Sequence, residues 1–176
     1  MDVAGVKSTI VEIPDYPQPG VIFKDVTPLF ANAQAFEYVI DAIADHFATN
    51  GITAVVGIEA RGFILGGALA QKMSVGFVPV RKLGKLPRDT YRSEYELEYG
   101  SDTIEIHTDS LSSSDHVLIV DDVLATGGTV AAAIDVIEQT GATVEGFAVL
   151  LNLDFLGGEM KIKQSHPKVQ LLTVID

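Results

Sequence analysis

The stretch VLIVDDVLATGGTVAAAIDVIEQTG, residues 117–141, decides the fold. It begins with an apolar run of strand length, continues through a loop of Ala, Thr and Gly, and ends in an apolar segment with helical periodicity. An apolar run of this kind is typical of a strand buried on both faces of a parallel sheet. The segment therefore predicts a strand, a loop and a helix, with Asp121 and Asp122 at the carboxyl end of the strand.

The same order of strand and helix occurs on both sides of this segment. Strand-length apolar runs lie at 53–58, 76–80, 146–153 and 168–175, and helical patterns lie at 33–48 and 62–73. This alternation predicts an α/β fold with a doubly wound, mainly parallel sheet covered on both faces. Ligands of such sheets bind beyond the carboxyl ends of the strands.

Two segments depart from this pattern. Residues 88–109 alternate in polarity without a helical period, which predicts a protruding antiparallel hairpin. Residues 1–32 hold four of the seven prolines, and these predict an irregular hood over the core. No linker is visible, so we expect one domain over 1–176, with the α/β core at 33–176.

The composition excludes several classes of protein. With 176 residues, of which 47% are hydrophobic and 20% charged, the chain is typical of a folded domain. The absence of cysteine excludes disulfides and thiolate chemistry. The histidines form no zinc pattern. No apolar run reaches the ~18 residues of a membrane span and no signal-peptide pattern begins the chain, so we expect a cytoplasmic protein without a membrane partner.

The basic residues are few and clustered. The formal net charge of −12 argues against nucleic acid as a partner. Five of the 12 Lys and Arg residues lie between 81 and 92, whereas none lies between 93 and 160. This cationic segment favours a site for a small anion, and a solvated loop is the alternative.

The 125–129 loop predicts a second anion site. Its backbone N–H groups and the positive end of the following helix can hold a phosphate without a lysine. The spacing differs from that of a Walker A loop, which argues against a triphosphate hydrolase. Asp121 and Asp122 suit two ribose hydroxyls or a Mg²⁺ ion held mostly through water. A chance acidic pair at a turn is the alternative.

Residues 117–133 resemble the phosphoribosyl-diphosphate (PRPP) signature of the type I phosphoribosyltransferases. The signature has two hydrophobic residues, two acids and a Thr-Gly-x-Thr loop. Four further segments resemble the adenine-using members of this family: IPDYPQPGVIFKDVTPLF (13–30), VVGIEARGFILG (55–66), VPVRKLGKLP (78–87) and LEYG (97–100). The resemblance covers about 13–158 in unbroken order. It implies a type I phosphoribosyltransferase fold with the hairpin and hood described above.

The resemblance also implies a role for each matching residue in binding PRPP or AMP. The 5′-phosphate would lie on Ala125, Thr126, Gly127, Gly128 and Thr129, the ribose hydroxyls on Asp121 and Asp122, and the pyrophosphate on Arg61 and Lys85. Arg81 and Tyr99 belong to the same binding set. Mg²⁺ would be held by PRPP and water, with Asp121 or Asp122 as the candidate protein ligands. The peptide bond between Glu59 and Ala60 would be cis.

The same resemblance implies which residues form the base pocket. Members that use 6-oxopurines place an aspartate where this chain has Ala125, so the carboxylate that handles the purine proton must come from elsewhere. Glu98 of LEYG is the candidate, with a solvated hairpin acid as the alternative. The adenine pocket would consist of Val21, Phe23, Lys24 and Leu153. Phe23 as an ordinary core residue remains an alternative.

The implied reaction converts adenine and PRPP to AMP and pyrophosphate, a step of purine salvage. The catalyst would be a Mg²⁺-dependent pentosyltransferase with Glu98 and Arg61 as its catalytic residues, and family members are usually homodimers. A xanthine or orotate phosphoribosyltransferase is one alternative. A non-catalytic PRPP-binding regulator is another, although such proteins normally add a DNA-binding module.

Overall fold

The computed structural model describes residues 1–96 and 100–175. Its strands are β1 (Val11–Pro14), β2 (Ile22–Asp25), β3 (Ala54–Ile58), β4 (Gly76–Lys82), β5 (Thr90–Glu96), β6 (Ser101–His107), β7 (His116–Leu124), β8 (Thr143–Asn152) and β9 (Gln170–Thr173). Its α-helices are α1 (Val3–Lys7), α2 (Thr27–Ala31), α3 (Ala33–His46), α4 (Gly62–Met73), α5 (Gly128–Glu138) and α6 (Gly158–Ser165). Within the described ranges, no helix is long and apolar enough to cross a membrane.

Seven strands form the central sheet in the order β5-β6-β4-β3-β7-β8-β9. Strands β4, β3, β7, β8 and β9 are parallel to one another. Strand β6 pairs antiparallel with β4 at Arg81 and Lys82 and with β5 along its length. The hairpin thus continues one edge of the sheet. The mainly parallel sheet with its protruding hairpin is confirmed.

Helices cover both faces of the sheet, and each face has its own apolar core. On one face, α5 and Ile162 of α6 pack with Ile104 and Ile106 of the hairpin. On the other face, α3 and α4 pack with Val6 and Leu29 from the N-terminal segment. The predicted core helices are confirmed, because their apolar residues recur at the helical period and meet the sheet.

The boundaries of β7 differ from the prediction. The strand runs to Leu124, so Asp121 and Asp122 lie within it rather than at its end. The reason is its neighbour: β8 is ten residues long, and its pairing continues from Asp121 opposite Val149 to Leu124 opposite Asn152. The acidic pair is therefore held in a hydrogen-bonded strand instead of a free turn.

The prediction of an irregular hood was wrong in part. The first 32 residues contain α1, α2 and a ribbon in which β1 pairs antiparallel with β2. Two of its four prolines occupy positions that need no backbone N–H: Pro14 ends a strand of a two-stranded ribbon, and Pro28 lies in the first turn of α2. We keep the name hood for residues 1–32.

Candidate active site

Most of the predicted site residues that the structure describes meet at one edge of the sheet. Glu59, Ala60 and Arg61 follow β3, the 125–129 loop follows β7, and Leu153 follows β8. Because these strands are parallel neighbours, their carboxyl ends lie at the same edge. The Glu59–Ala60 peptide bond is cis, as the resemblance implied.

A cavity of about 460 Å³ opens at this edge. Its wall includes the whole predicted base pocket together with the acidic pair and both neighbouring loops: Val21, Phe23, Lys24, Leu153, Ala60, Arg61, Asp121, Asp122, Ala125 and Thr129. A concave site with an apolar wall and converging polar groups is typical of a small-molecule pocket. The structure thus brings the hood, β7 and the 125–129 loop around one space.

A smaller cavity of about 70 Å³ lies directly at the 125–129 loop. Ala125, Thr126, Gly127 and Thr129 line it. Gly127 precedes α5 with a φ of 78°, a left-handed conformation that turns the chain into the helix. The first N–H groups of a helix lack intrahelical acceptors and carry the positive end of its dipole. This loop therefore suits a phosphate group.

Arg61 and the acidic pair form the charged centre of the large cavity. Asp122 is only 5% exposed, and its carboxylate accepts a hydrogen bond from Nε of Arg61. The guanidinium also lies 5.9 Å from the centre of the Phe23 ring, within range of a cation–π contact. Arg61 is therefore oriented by a buried carboxylate and by the hood while its side chain stays 45% exposed.

Asp121 lies beside Asp122 at the cavity wall. Its Oδ1 accepts a hydrogen bond of 2.9 Å from the backbone N–H of Asp122. Burial, followed by the negative charge of Asp122, raises the pKa of Asp121 well above its usual value. A ligand that supplies hydrogen-bond donors or positive charge at this wall would favour the ionised form of Asp121.

The cationic segment carries its own counter-charges. Glu59 accepts hydrogen bonds of 3.2 Å from both Nε and Nη2 of Arg81, and one of 3.0 Å from the backbone N–H of Lys82. Further ion pairs join Lys82 to Asp102, Arg88 to Asp109 and Arg92 to Glu105. Burial raises the pKa of Glu59, but these hydrogen bonds and the charge of Arg81 lower it overall. Acidic side chains from neighbouring elements thus hold the cationic segment in place.

The structure does not place every predicted residue on the cavity wall. Lys82 lines the large cavity, whereas Arg81 and Lys85 lie outside its lining. The Nζ atom of Lys85 is 4.0 Å from Glu59, and its side chain is 53% exposed. Glu98 and Tyr99 lie outside the described residues, so their roles stay predictions.

Sequence reasoning missed Tyr95 as a wall of the cavity. Tyr95 is half-buried, lines the cavity near Thr129, and its hydroxyl donates a hydrogen bond of 3.4 Å to Asp102. Burial raises the pKa of this hydroxyl. The alternating burial of side chains along β5 could have indicated this position, because Tyr91 and Tyr95 share the face that packs on the core.

We expect Asp121→Asn to stabilise the protein near neutral pH. Because the pKa of Asp121 is higher in the folded state, the stability that this group contributes is complete below its usual value of 3.8 and is lost as the pH rises through the folded pKa. Asparagine cannot ionise. Urea unfolding at a series of pH values should show an advantage of the variant that shrinks toward low pH, and a widening advantage would contradict the prediction.

The fold and the site define an α/β protein with a small-molecule cavity at the carboxyl ends of its parallel strands, and comparison with known proteins gives its family. The chain belongs to the phosphoribosyl transferase family, because the family profile of the phosphoribosyl transferase domain matches residues 25–175. The adenine phosphoribosyltransferase of Chlorobaculum tepidum is 51% identical over 170 residues, which cover 96% of each chain.

Solved structures agree with this assignment. The adenine phosphoribosyltransferase of Thermoanaerobacter pseudethanolicus superposes with a TM-score of 0.93 at 42% identity, over 99% of both chains. The Saccharomyces cerevisiae adenine phosphoribosyltransferase, solved with an imino-altritol bisphosphate and adenine, has a TM-score of 0.91 at 38% identity over 98% of both chains. The type I phosphoribosyltransferase fold and the assignment to the pentosyltransferases are confirmed.

Proposed function

We propose that this protein transfers the phosphoribosyl group of PRPP to adenine and releases AMP and pyrophosphate. One observation carries the proposal: two adjoining cavities, which share Asp121, Ala125 and Thr129, bring together a loop suited to phosphate, an acidic pair suited to ribose and a partly apolar wall from the hood. The adenine phosphoribosyltransferases at about half identity over most of the chain support the choice of base.

The sugar phosphate would lie along β7 and the loop that follows it. The amides of 125–129 would hold the 5′-phosphate, and Asp121 and Asp122 would accept hydrogen bonds from the ribose hydroxyls. Arg61 would face the pyrophosphate, with Lys82 at the cavity wall and Arg81 and Lys85 beyond it. Occupation of the site would require Arg61 to share its charge between Asp122 and the ligand.

Adenine would bind between the hood and the end of β8. Phe23 and Leu153 offer apolar surface to the purine ring, and the backbone of Val21 and Lys24 can read its exocyclic amine. Ala125 leaves no carboxylate on the loop side of the base. This favours adenine over 6-oxopurines.

In the reaction, the purine N9 forms a bond to C1′ of the ribose while the bond from C1′ to pyrophosphate breaks with its electron pair. Arg61 stabilises the charge that develops on the leaving pyrophosphate. Glu98 accepts the proton that the purine ring loses. The hood and the hairpin limit the access of water, which would otherwise capture the ribosyl carbon.

The residues present fit a Mg²⁺ ion held chiefly by substrate. Among the described residues, no three His, Asp or Glu side chains converge as a protein-only metal site requires. Asp121 nevertheless offers a hard oxygen donor at the cavity wall, and Mg²⁺ commonly combines one or two carboxylates with substrate phosphates and water. Bound there, the ion would neutralise charge on the pyrophosphate.

We also propose a homodimer. Ile64, Phe77 and Leu83 are large apolar residues that are 46%, 36% and 51% exposed, on α4, on β4 and just after it, beside the cationic segment. A second copy covering these side chains would explain their exposure. Sedimentation equilibrium tests the proposal, and a monomer at micromolar concentration would contradict it.

The test of the function is pyrophosphate release from PRPP with Mg²⁺ and each of four bases. We expect turnover with adenine and none above background with hypoxanthine, xanthine or orotate. Turnover with xanthine or orotate would favour the corresponding transferase. Tight PRPP binding without turnover on any base would favour a non-catalytic regulator.

A further inference from the structure

The first turn of α6 packs directly beneath the 125–129 loop. Gly158 is buried, and a Cβ atom added to it would overlap the carbonyl oxygen of Ala125 and lie 2.9 Å from the backbone nitrogen of Gly127. The contact is reciprocal, because a Cβ atom on Gly127 would lie 3.0 Å from the carbonyl oxygen of Gly158 and 3.2 Å from its Cα. Two glycine backbones thus meet with no room for a methyl group.

The start of α6 is held in place by contacts of its own. Ile162, one turn further along, is 1% exposed and belongs to the core on the α5 side of the sheet. The side-chain amide of Asn152, at the end of β8, donates hydrogen bonds of 2.8 Å to Glu159 and 2.6 Å to Asp154. A methyl group at 158 would therefore displace the loop more readily than the anchored helix.

We propose that Gly158 is a positioning residue for the phosphate end of the substrate, an inference that rests on the proposed function. Several amides of the 125–129 loop must point at one phosphate group, and such convergence tolerates displacements of only about 0.5 Å. The backbone of Gly158 supports the loop from below at Ala125 and Gly127. Adenine would meet this loop only at Ala125, and its other walls come from the hood and the end of β8, so adenine binding should change less than PRPP binding.

The test compares Gly158→Ala with Gly157→Ala. Gly157 has a φ of 70°, and a Cβ atom added to it would meet nothing within 4 Å, so alanine there strains the same turn without touching the loop. We expect Gly158→Ala to raise KM for PRPP about 10- to 100-fold and to weaken ribose 5-phosphate binding similarly, with kcat at saturating PRPP and KM for adenine within a few-fold of wild type. Gly157→Ala should lower Tm and leave KM for PRPP unchanged.

Two outcomes would overturn the inference alone: Gly158→Ala binding PRPP as wild type does, or Gly157→Ala showing the same rise in KM. If Gly158→Ala does not fold, hydrogen exchange measured on the wild-type protein tests the inference instead. Ribose 5-phosphate should then slow exchange at 157–161 as well as at 125–129, and protection of the loop only would overturn the inference. Failure of the wild type to bind ribose 5-phosphate or PRPP would instead overturn the proposed function and this inference with it.

Discussion

Replacing Glu98 with glutamine is expected to lower kcat by about 10²- to 10⁴-fold, the usual contribution of a positioned general acid or base. Glutamine keeps the shape of the side chain and a hydrogen-bonding oxygen, but it cannot accept the proton that the purine loses as N9 bonds to C1′. The 125–129 loop offers no replacement, because its first residue is Ala125. Affinity for PRPP, measured by titration calorimetry with Mg²⁺, should stay close to that of wild type.

A matched control for this variant is Glu96→Gln. Glu96 is an exposed acid two residues earlier on the hairpin, at the end of β5, and it has no predicted chemical role. Its variant should keep the wild-type kcat, whereas Glu98→Gln should lose most of it. Equal turnover by Glu98→Gln and wild type would remove Glu98 from the mechanism.

Arg61→Ala is expected to have the second large effect, a fall of about 10²- to 10³-fold in kcat/KM for PRPP. The guanidinium lies at the cavity wall beside Asp122, where it would meet the charge that develops on pyrophosphate. Its removal also leaves the carboxylate of Asp122, in a residue only 5% exposed, without its charged partner. The free energy of unfolding should therefore fall by ~1–3 kcal/mol in urea titrations.

One further variant separates the charge of Arg61 from its geometry, and another serves as a control. Arg61→Lys keeps the positive charge but loses the planar fork, so its kcat/KM should lie between those of alanine and wild type. Lys72→Ala removes a cation of α4 whose partner is Asp41, 2.8 Å away and outside the cavity wall. That variant should leave kcat/KM unchanged. Wild-type kinetics in Arg61→Ala would contradict the proposed role.

Features that depend on local pattern could be predicted from the sequence. The helix at 62–73 and the strand at 54–58 agree with prediction to within a residue, because apolar periodicity and burial specify the same element. The hood was harder. The prolines of 1–32 indicated irregular chain. Only the pairing of β1 with β2 in the structure shows that part of this segment forms an antiparallel ribbon.

Contacts between distant segments could not be predicted from the pattern of either segment. Pairing within the hairpin places Glu105 directly opposite Arg92, and pairing with β4 places it opposite Arg81. The backbone N–H groups of Lys85 and Leu86 also donate to Glu105, at 3.2 and 3.1 Å. A count of charges along the chain shows the basic cluster but does not show this buried acid within it.

The hood ribbon forms a small sheet separate from the one that carries the acidic pair and the 125–129 loop. The wall that would select the purine and the framework that would grip the sugar phosphate are thus different pieces of architecture. We expect base preference to be open to engineering by grafting residues 13–25, together with the residue at position 125, from a relative with another preference, without rebuilding β7 or the rest of the 125–129 loop.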